Sequence, residues 1–411
     1  MKSLITTLLV LISVNLFSAE LSFDEALKGI LNKNVDLPSA TASLGAATTT
    51  ALASKLSFLP TLALEKGRTQ FYKSDLTKDD TSITSTVNVF RFGSDWFKMS
   101  AASSNEQSVF WNKKLVEYNA EYEAATILLD YISQGLSLNA LKEYAKVKQQ
   151  AFKVAQARTD RGLLSLQESQ KTEIDLATAE AQLENSELNF LKTKSRLLVA
   201  LGNTDVTIAW PWVTFIEKQK HLQLSESSFD LEKCPQFKKA KYDFEMANSS
   251  WKSARSSLFP SVDLSYVYNT STASGNTTTE QIGLIKLSIP IFNGLTDYAY
   301  VGEQHAAAIT AQNNLEKTSR ELTSSWTEKS NDLLINSKNA IKGQQVLKLA
   351  HTLYEDSFKR FEQGRSSVND LLMDQGRLLD SQTLAIESWY KAHLALIGVC
   401  NLKGQSISEC L

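Results

Sequence analysis

Residues Leu258–Gly294 constrain the fold more than any other stretch, because their hydrophobicity repeats every two residues. Val262, Leu264, Tyr266 and Tyr268 alternate with Asp263, Ser265 and Asn269, so one face of an extended strand is apolar and the other polar. A polar loop follows at Thr270–Thr279. The return strand, Gln281–Phe292, sets Ile285, Leu287, Ile289 and Ile291 on one face, with Pro290 and Asn293-Gly294 as breakers. Each strand is about ten residues long, the length that crosses a bilayer when tilted. A lone hairpin is marginal in water, so its edges need partners.

The partner lies in the same chain. Ser57–Gly93 repeats the plan: Pro60 and Pro260 are 200 positions apart, Gly93 and Gly294 are 201 apart, and Gly162 and Gly364 are 202 apart. Gly162 and Gly364 each follow an arginine by four residues, Arg158 and Arg360. Landmarks at one near-constant offset mark a tandem duplication. The reading is a signal peptide at 1–19, a first repeat at 20–203, a link at 204–227, a second repeat at 228–402 and a loosely held tail at 403–411.

Outside the hairpins the chain reads as helix. Residues 96–161 contain no proline and only Gly135, and one helix of that length spans about 100 Å. The second long pattern, 295–363, has Gly343 as its weak point. Helices at 165–201 and 367–402 follow the two turns. Leu176, Leu183, Phe190 and Leu197 form one seven-residue stripe, with Ile174, Ala181 and Leu188 beside it. In the second repeat Leu371, Leu378, Ala385 and Ala392 lie beside Leu372, Leu379 and Ile386. Two adjacent stripes predict helices packed on both flanks, as in a ring. Glu20–Leu56 reads as a helix pair or one kinked helix. Trp210 and Trp212 read as packing anchors in an irregular link.

Met1–Ala19 has a lysine, an apolar run and small residues, the pattern of a secretory signal. No later stretch has the run of about 20 apolar residues that a spanning helix needs, so a membrane location has to come from strands. A net charge of −2 gives no bulk attraction to nucleic acid. The three cysteines, Cys234, Cys400 and Cys410, give no disulfide framework; Cys400 and Cys410 pair or stay free thiols. The four histidines are far apart, and no nucleophile elbow or phosphate-binding glycine motif is present. The expectation is a protein that is not an enzyme and carries no cofactor or metal.

The layout resembles the TolC family of outer-membrane efflux ducts. The resemblance rests on LSFDEAL after the signal, LSFLPTLAL and SSLFPSVDLSY at the hairpin entries, NVFRFG and SIPIFNG at the exits, and RTDRGLLSLQES and RFEQGRSSVNDLL at the turns. The first return strand departs from the family in lacking the proline before its exit. The resemblance implies a mainly α protomer with a β-barrel part, trimerising into a 12-stranded outer-membrane β-barrel continued by a periplasmic α-helical barrel. It implies localisation in the Gram-negative outer membrane, with a periplasmic adaptor (membrane fusion protein), an inner-membrane transporter and outer-membrane lipid as partners. The function it implies is export of small molecules or proteins, by tripartite efflux or type I secretion. A periplasmic coiled-coil scaffold or adhesin without a pore is the alternative.

The resemblance also implies site residues. Arg158, Gly162, Leu163, Ser165, Arg360, Gly364, Ser366 and Ser367 would form tips that meet the adaptor. Asp370, with Asp374 one turn on, would ring the aperture in three copies and favour cations there. Met373 stands where the family has a second carboxylate, and Glu168 is the counterpart of Asp370 in the first repeat.

Overall fold

The computed structural model describes residues 19–71, 76–202, 206–208, 229–273, 275–363 and 365–410. Met1–Ser18 of the expected signal, the link indoles Trp210 and Trp212, His221 and Gly364 lie outside the described residues. The elements in order are β1 (Ala19–Leu21), α1 (Phe23–Lys33), α2 (Asp36–Leu56), β2 (Thr61–Phe71), β3 (Leu76–Phe90), α3 (Ser94–Asp160), α4 (Leu166–Ala200) and β4 (Val206–Ile208). After a 3-10 turn at Leu231–Lys233 come α5 (Pro235–Ser256), β5 (Ser261–Ala273), β6 (Asn276–Ser288), α6 (Thr296–Glu362), α7 (Val368–Lys403) and α8 (Ile407–Cys410). The helix–hairpin–long helix–helix order occurs twice. Both α3 and α6 run for 67 residues without a break, about 100 Å each.

The two hairpins form one antiparallel sheet in the order β2-β3-β5-β6. The helices that feed these strands pack in the same order, α2-α3-α5-α6. Farther from the sheet, α4 replaces α2 beside α3, and α7 fits between α3 and α6. Sheet and helices therefore make one continuous curved wall. Serines let α3 and α5 approach closely: Ser94 meets Ser253 at 3.1 Å and Ser100 meets Ser249 at 3.2 Å.

The main core lies where α1, α3, α4 and α7 converge. Phe23, Ala26, Leu27 and Ile30 recur at helical spacing on one face of α1. They close on Leu128, Leu129, Leu197, Trp389 and Ile397. A capping box of Ser22 and Glu25 starts α1.

Several expectations are corrected. The polar stretch at Thr270–Thr279 is not a loop: β5 and β6 continue through it to Ala273 and from Asn276, joined through Gly275. Threonines are β-branched and suit an extended ladder, and Thr272 and Thr277 hydrogen-bond across it. The return strand ends at Ser288, so Ile289 and Ile291 lie beyond it. Of the two readings of Glu20–Leu56, the helix pair holds, with the break at Asn34. Within the irregular link, β4 pairs in parallel with β1.

Gly343 is no weak point but a place where α6 comes close against α7. A Cβ there would lie 2.8 Å from Ser388 Oγ and 3.3 Å from Ala385 Cα. The tail is not loosely held either. Ile407 is buried in the main core, its N–H and the Ser406 hydroxyl donate to Glu121 Oε2, and Cys400 is bonded to Cys410.

Candidate functional site

The two turns at the far end of the helices are built alike. In the first, Gly162 adopts φ +72°, Gly162 N–H donates to Thr159 C=O at 2.9 Å, and Leu163 N–H donates to Arg158 C=O at 2.9 Å. This is the Schellman pattern, which needs a residue free to enter the left-handed region. The counterpart bond in the second turn, Arg365 N–H to Arg360 C=O, is 2.8 Å long. Each turn then starts the next helix with a serine cap. Ser165 Oγ accepts from Glu168 N–H at 3.3 Å, and Ser367 Oγ accepts from Asp370 N–H at 3.1 Å.

The fold brings both turns together. Arg158, from the first, lies over the ring of Phe361, beside the second, with Cζ 5.1 Å from its centroid. Phe361, Val368 and Leu371 form a small core there, with Val154, Tyr354 and Phe358 packed against it. Burial pushes the Tyr354 hydroxyl above its ordinary pKa. Sequence reasoning missed this cluster, although Tyr354, Phe358 and Phe361 stand at i, i+4 and i+7. Arg360 pairs with Asp356 at 2.8 Å on the outside, and Ser366 Oγ donates to Ser367 C=O at 3.4 Å. Leu163 is 72% exposed and Leu166 68%, so the tip presents leucines that its own chain does not cover.

Asp370 closes a capping box. Its Oδ2 accepts from the Ser367 hydroxyl at 2.7 Å and from Ser367 N–H at 3.2 Å. These bonds hold its carboxyl below the usual range, so it is ionised at neutral pH. Asp374 is bound to Arg377 Nη1 at 2.8 Å and is mostly covered. The structure thus gives Asp370 an exposed charge at a helix start, and gives Asp374 a partner on its own helix.

At the opposite end, strand register separates two faces. Residues opposed across an antiparallel pair share a face. Leu62, Leu64, Ile83, Val87, Val262, Leu264, Tyr266, Tyr268, Ile285 and Leu287 fall on one face. Leu264, Tyr266 and Tyr268 are exposed while Asp263, Ser265 and Asn269 are half-buried, so the apolar face is convex. The concave face carries Glu65, Ser82, Asn269 and Glu280 in one row. Phe92 stacks on Phe259 at 5.0 Å and meets Phe90 at 4.9 Å, an aromatic belt where sheet gives way to helix. Among the described residues no helix is long and apolar enough to cross a membrane.

The profile of the family described as outer membrane efflux protein matches residues 230–405. No curated protein sequence matches the chain. Among solved structures, CusC matches with a TM-score of 0.77 at 14% identity, covering 95% of this chain and 93% of that one. The CmeC outer membrane channel of Campylobacter jejuni matches with a TM-score of 0.77 at 14% identity over 93% of this chain and 85% of its own. The outer membrane protein VceC of Vibrio cholerae matches with a TM-score of 0.74 at 14% identity over 93% and 96%. The second repeat thus matches the outer membrane efflux protein family, and nearly the whole chain shares the fold of these outer-membrane channels.

Proposed function

We propose that three copies of the chain close into a continuous export duct, a shared barrel of about twelve strands set on a tube of helices. The observation that carries this reading is the pair of open edges. The strands β2 and β6 each pair on one side only. Lipid tolerates no unpaired backbone, so edge must meet edge in a closed ring. The helices repeat the pattern. Both apolar seams of α7 are covered between α3 and α6, whereas α4 covers one seam against α3 and leaves Ile174 and Leu188 exposed. Leu52, Leu56 and Leu59 on one edge, and Ile291, Phe292 and Tyr298 on the other, are exposed as well. Cyclic symmetry satisfies all of these at once.

In this assembly the convex face meets lipid and the concave polar face lines the bore. The tips, with Leu163 and Leu166 uncovered, take the hairpin of a periplasmic adaptor, which couples the duct to an inner-membrane transporter. Arg158, Gly162, Ser165, Arg360, Gly364, Ser366 and Ser367 build or flank that surface. Three copies of Asp370 form the charged ring of the aperture, and Asp374, held by Arg377, supports its helix. The cargo is small molecules or proteins selected by the transporter.

The test is the mass of the detergent-extracted protein, measured by light scattering with the detergent subtracted. Three chains per particle, with single-channel conductance in planar bilayers, is the expected result. A monomer recovered from the soluble periplasm would overturn the shared barrel and leave a rod without a pore.

A further inference from the structure

On the convex face the apolar rows stop abruptly, and each of the next two rows carries one basic residue. Register aligns Leu64 with Ile83, Tyr268 and Gln281. The next row toward the hairpin tips is Lys66 with Thr81, Thr270 and Thr279, and beyond it comes Arg68 with Asp79, Thr272 and Thr277. Arg68 holds Asp79 through two bonds, Nε at 2.6 Å and Nη2 at 2.9 Å, with the guanidinium largely exposed. Lys66 is exposed and stands two residues from Arg68 on the same face. From the Val262 row to the Lys66 row is eight residues of β5, since Val262 and Thr270 mark the two rows. That is about 27 Å along the strand, or about 20 Å of depth at the usual barrel tilt. The aromatic belt of Phe90, Phe92 and Phe259 adds the remainder of the apolar band below. Lys66 and Arg68 therefore stand at the outer headgroup level, on the side away from the helices and facing lipid rather than the bore.

Both side chains have apolar stems that lie along such a band while their charges reach the headgroup layer. Arginine presents a fork that grips a phosphate, and lysine a compact charge. We infer that Lys66 and Arg68 form a docking site for a phosphorylated lipid headgroup of the outer leaflet, with Asp79 competing for Arg68. The site would anchor edge strand β2 where the next copy joins. The inference rests on the convex face being the lipid face, and the test separates the two.

The full chain, purified in mild detergent, is titrated with bisphosphorylated lipid A and with the same lipid after enzymatic dephosphorylation. Bound lipid is read by native mass spectrometry and thermal stability in parallel. The phosphorylated lipid is expected to bind and raise Tm, and the dephosphorylated one to do so weakly. Lys66→Gln is expected to weaken binding about fivefold. Asp79→Asn, which frees Arg68, is expected to strengthen it, and Lys286→Gln, on the concave face, to leave it unchanged. Equal response to both lipids, or indifference to both Lys66→Gln and Asp79→Asn, overturns the headgroup site while leaving the barrel standing. Protein that responds to no lipid and does not insert into vesicles overturns both.

Discussion

The hydroxyl of Tyr390 donates to Asp130 Oδ1 at 2.6 Å, joining α7 of the second half of the chain to α3 of the first. Arg196 of α4 approaches the other oxygen, Oδ2, at 3.4 Å. One carboxylate thus ties three helices just below the main core. Burial, and then the bond to Asp130, raise the Tyr390 hydroxyl above its ordinary pKa. Tyr390→Phe is expected to lower stability by about 1 kcal/mol, read by chemical denaturation. The sign for pH follows: the folded state keeps a proton that the unfolded tyrosine loses above about pH 10. The wild type is expected to lose stability as pH rises through that value, and Tyr390→Phe to lose less.

His393 gives the opposite pH limb. It is buried, Nδ1 lies 2.8 Å from Trp389 C=O, and burial lowers its pKa to about 3 despite that bond. A depressed histidine contributes stability that is whole above the unfolded value of about 6.5 and is lost as pH falls toward the folded value. Melting curves between pH 7 and 4 are expected to fall for the wild type and to flatten for His393→Leu. Parallel curves would show that His393 is not the group that titrates.

Gly343 sets the spacing of α6 and α7. Gly343→Leu drives a side chain into Ser388 Oγ and the backbone at Ala385, and overpacking of this kind costs about 1–3 kcal/mol. The expected outcome is a lower Tm together with faster hydrogen exchange in 338–348 and 381–391. Normal stability would mean that the two helices can separate freely.

Asp370 has two jobs to tell apart, capping α7 and charging the aperture. Asp370→Asn keeps an oxygen for the Ser367 donors and removes the charge. Helix α7 is expected to start at the same residue by hydrogen exchange, while block of the conducting channel by divalent cations weakens several-fold. Unchanged block in a conductance titration would remove Asp370 from the aperture.

Much of the fold was legible because it repeats. Proline-free stretches and a fixed offset located α3, α4, α6 and α7 to within two residues of their bounds. The paired turns were legible for the same reason, since a glycine four residues after an arginine occurs twice. The misreadings share one cause. Thr270–Thr279 is polar, and a polar run reads as a loop, but a strand whose two faces both meet polar surroundings has no alternation to display. Arg68 interrupts the apolar face of β2, and its partner Asp79 sits directly across the ladder. The pairing rule that reveals this needs the register, which depends on both strands.

The sequence alone determined the period of most elements. Alternation made hairpins, seven-residue stripes made long helices, and their duplication made two matching sets. Only the tertiary structure decided which apolar surfaces are satisfied within one chain. The stripes of α4 and α7 look alike in the sequence, but α7 lies between two helices and α4 at an edge. Likewise Ile407 and Cys410 sit in a nine-residue tail with no periodicity, and only their contacts with Glu121 and Cys400 show that tail to be fastened. Periodicity records which side of an element avoids water. It does not record what covers that side, because the cover comes from residues far along the chain.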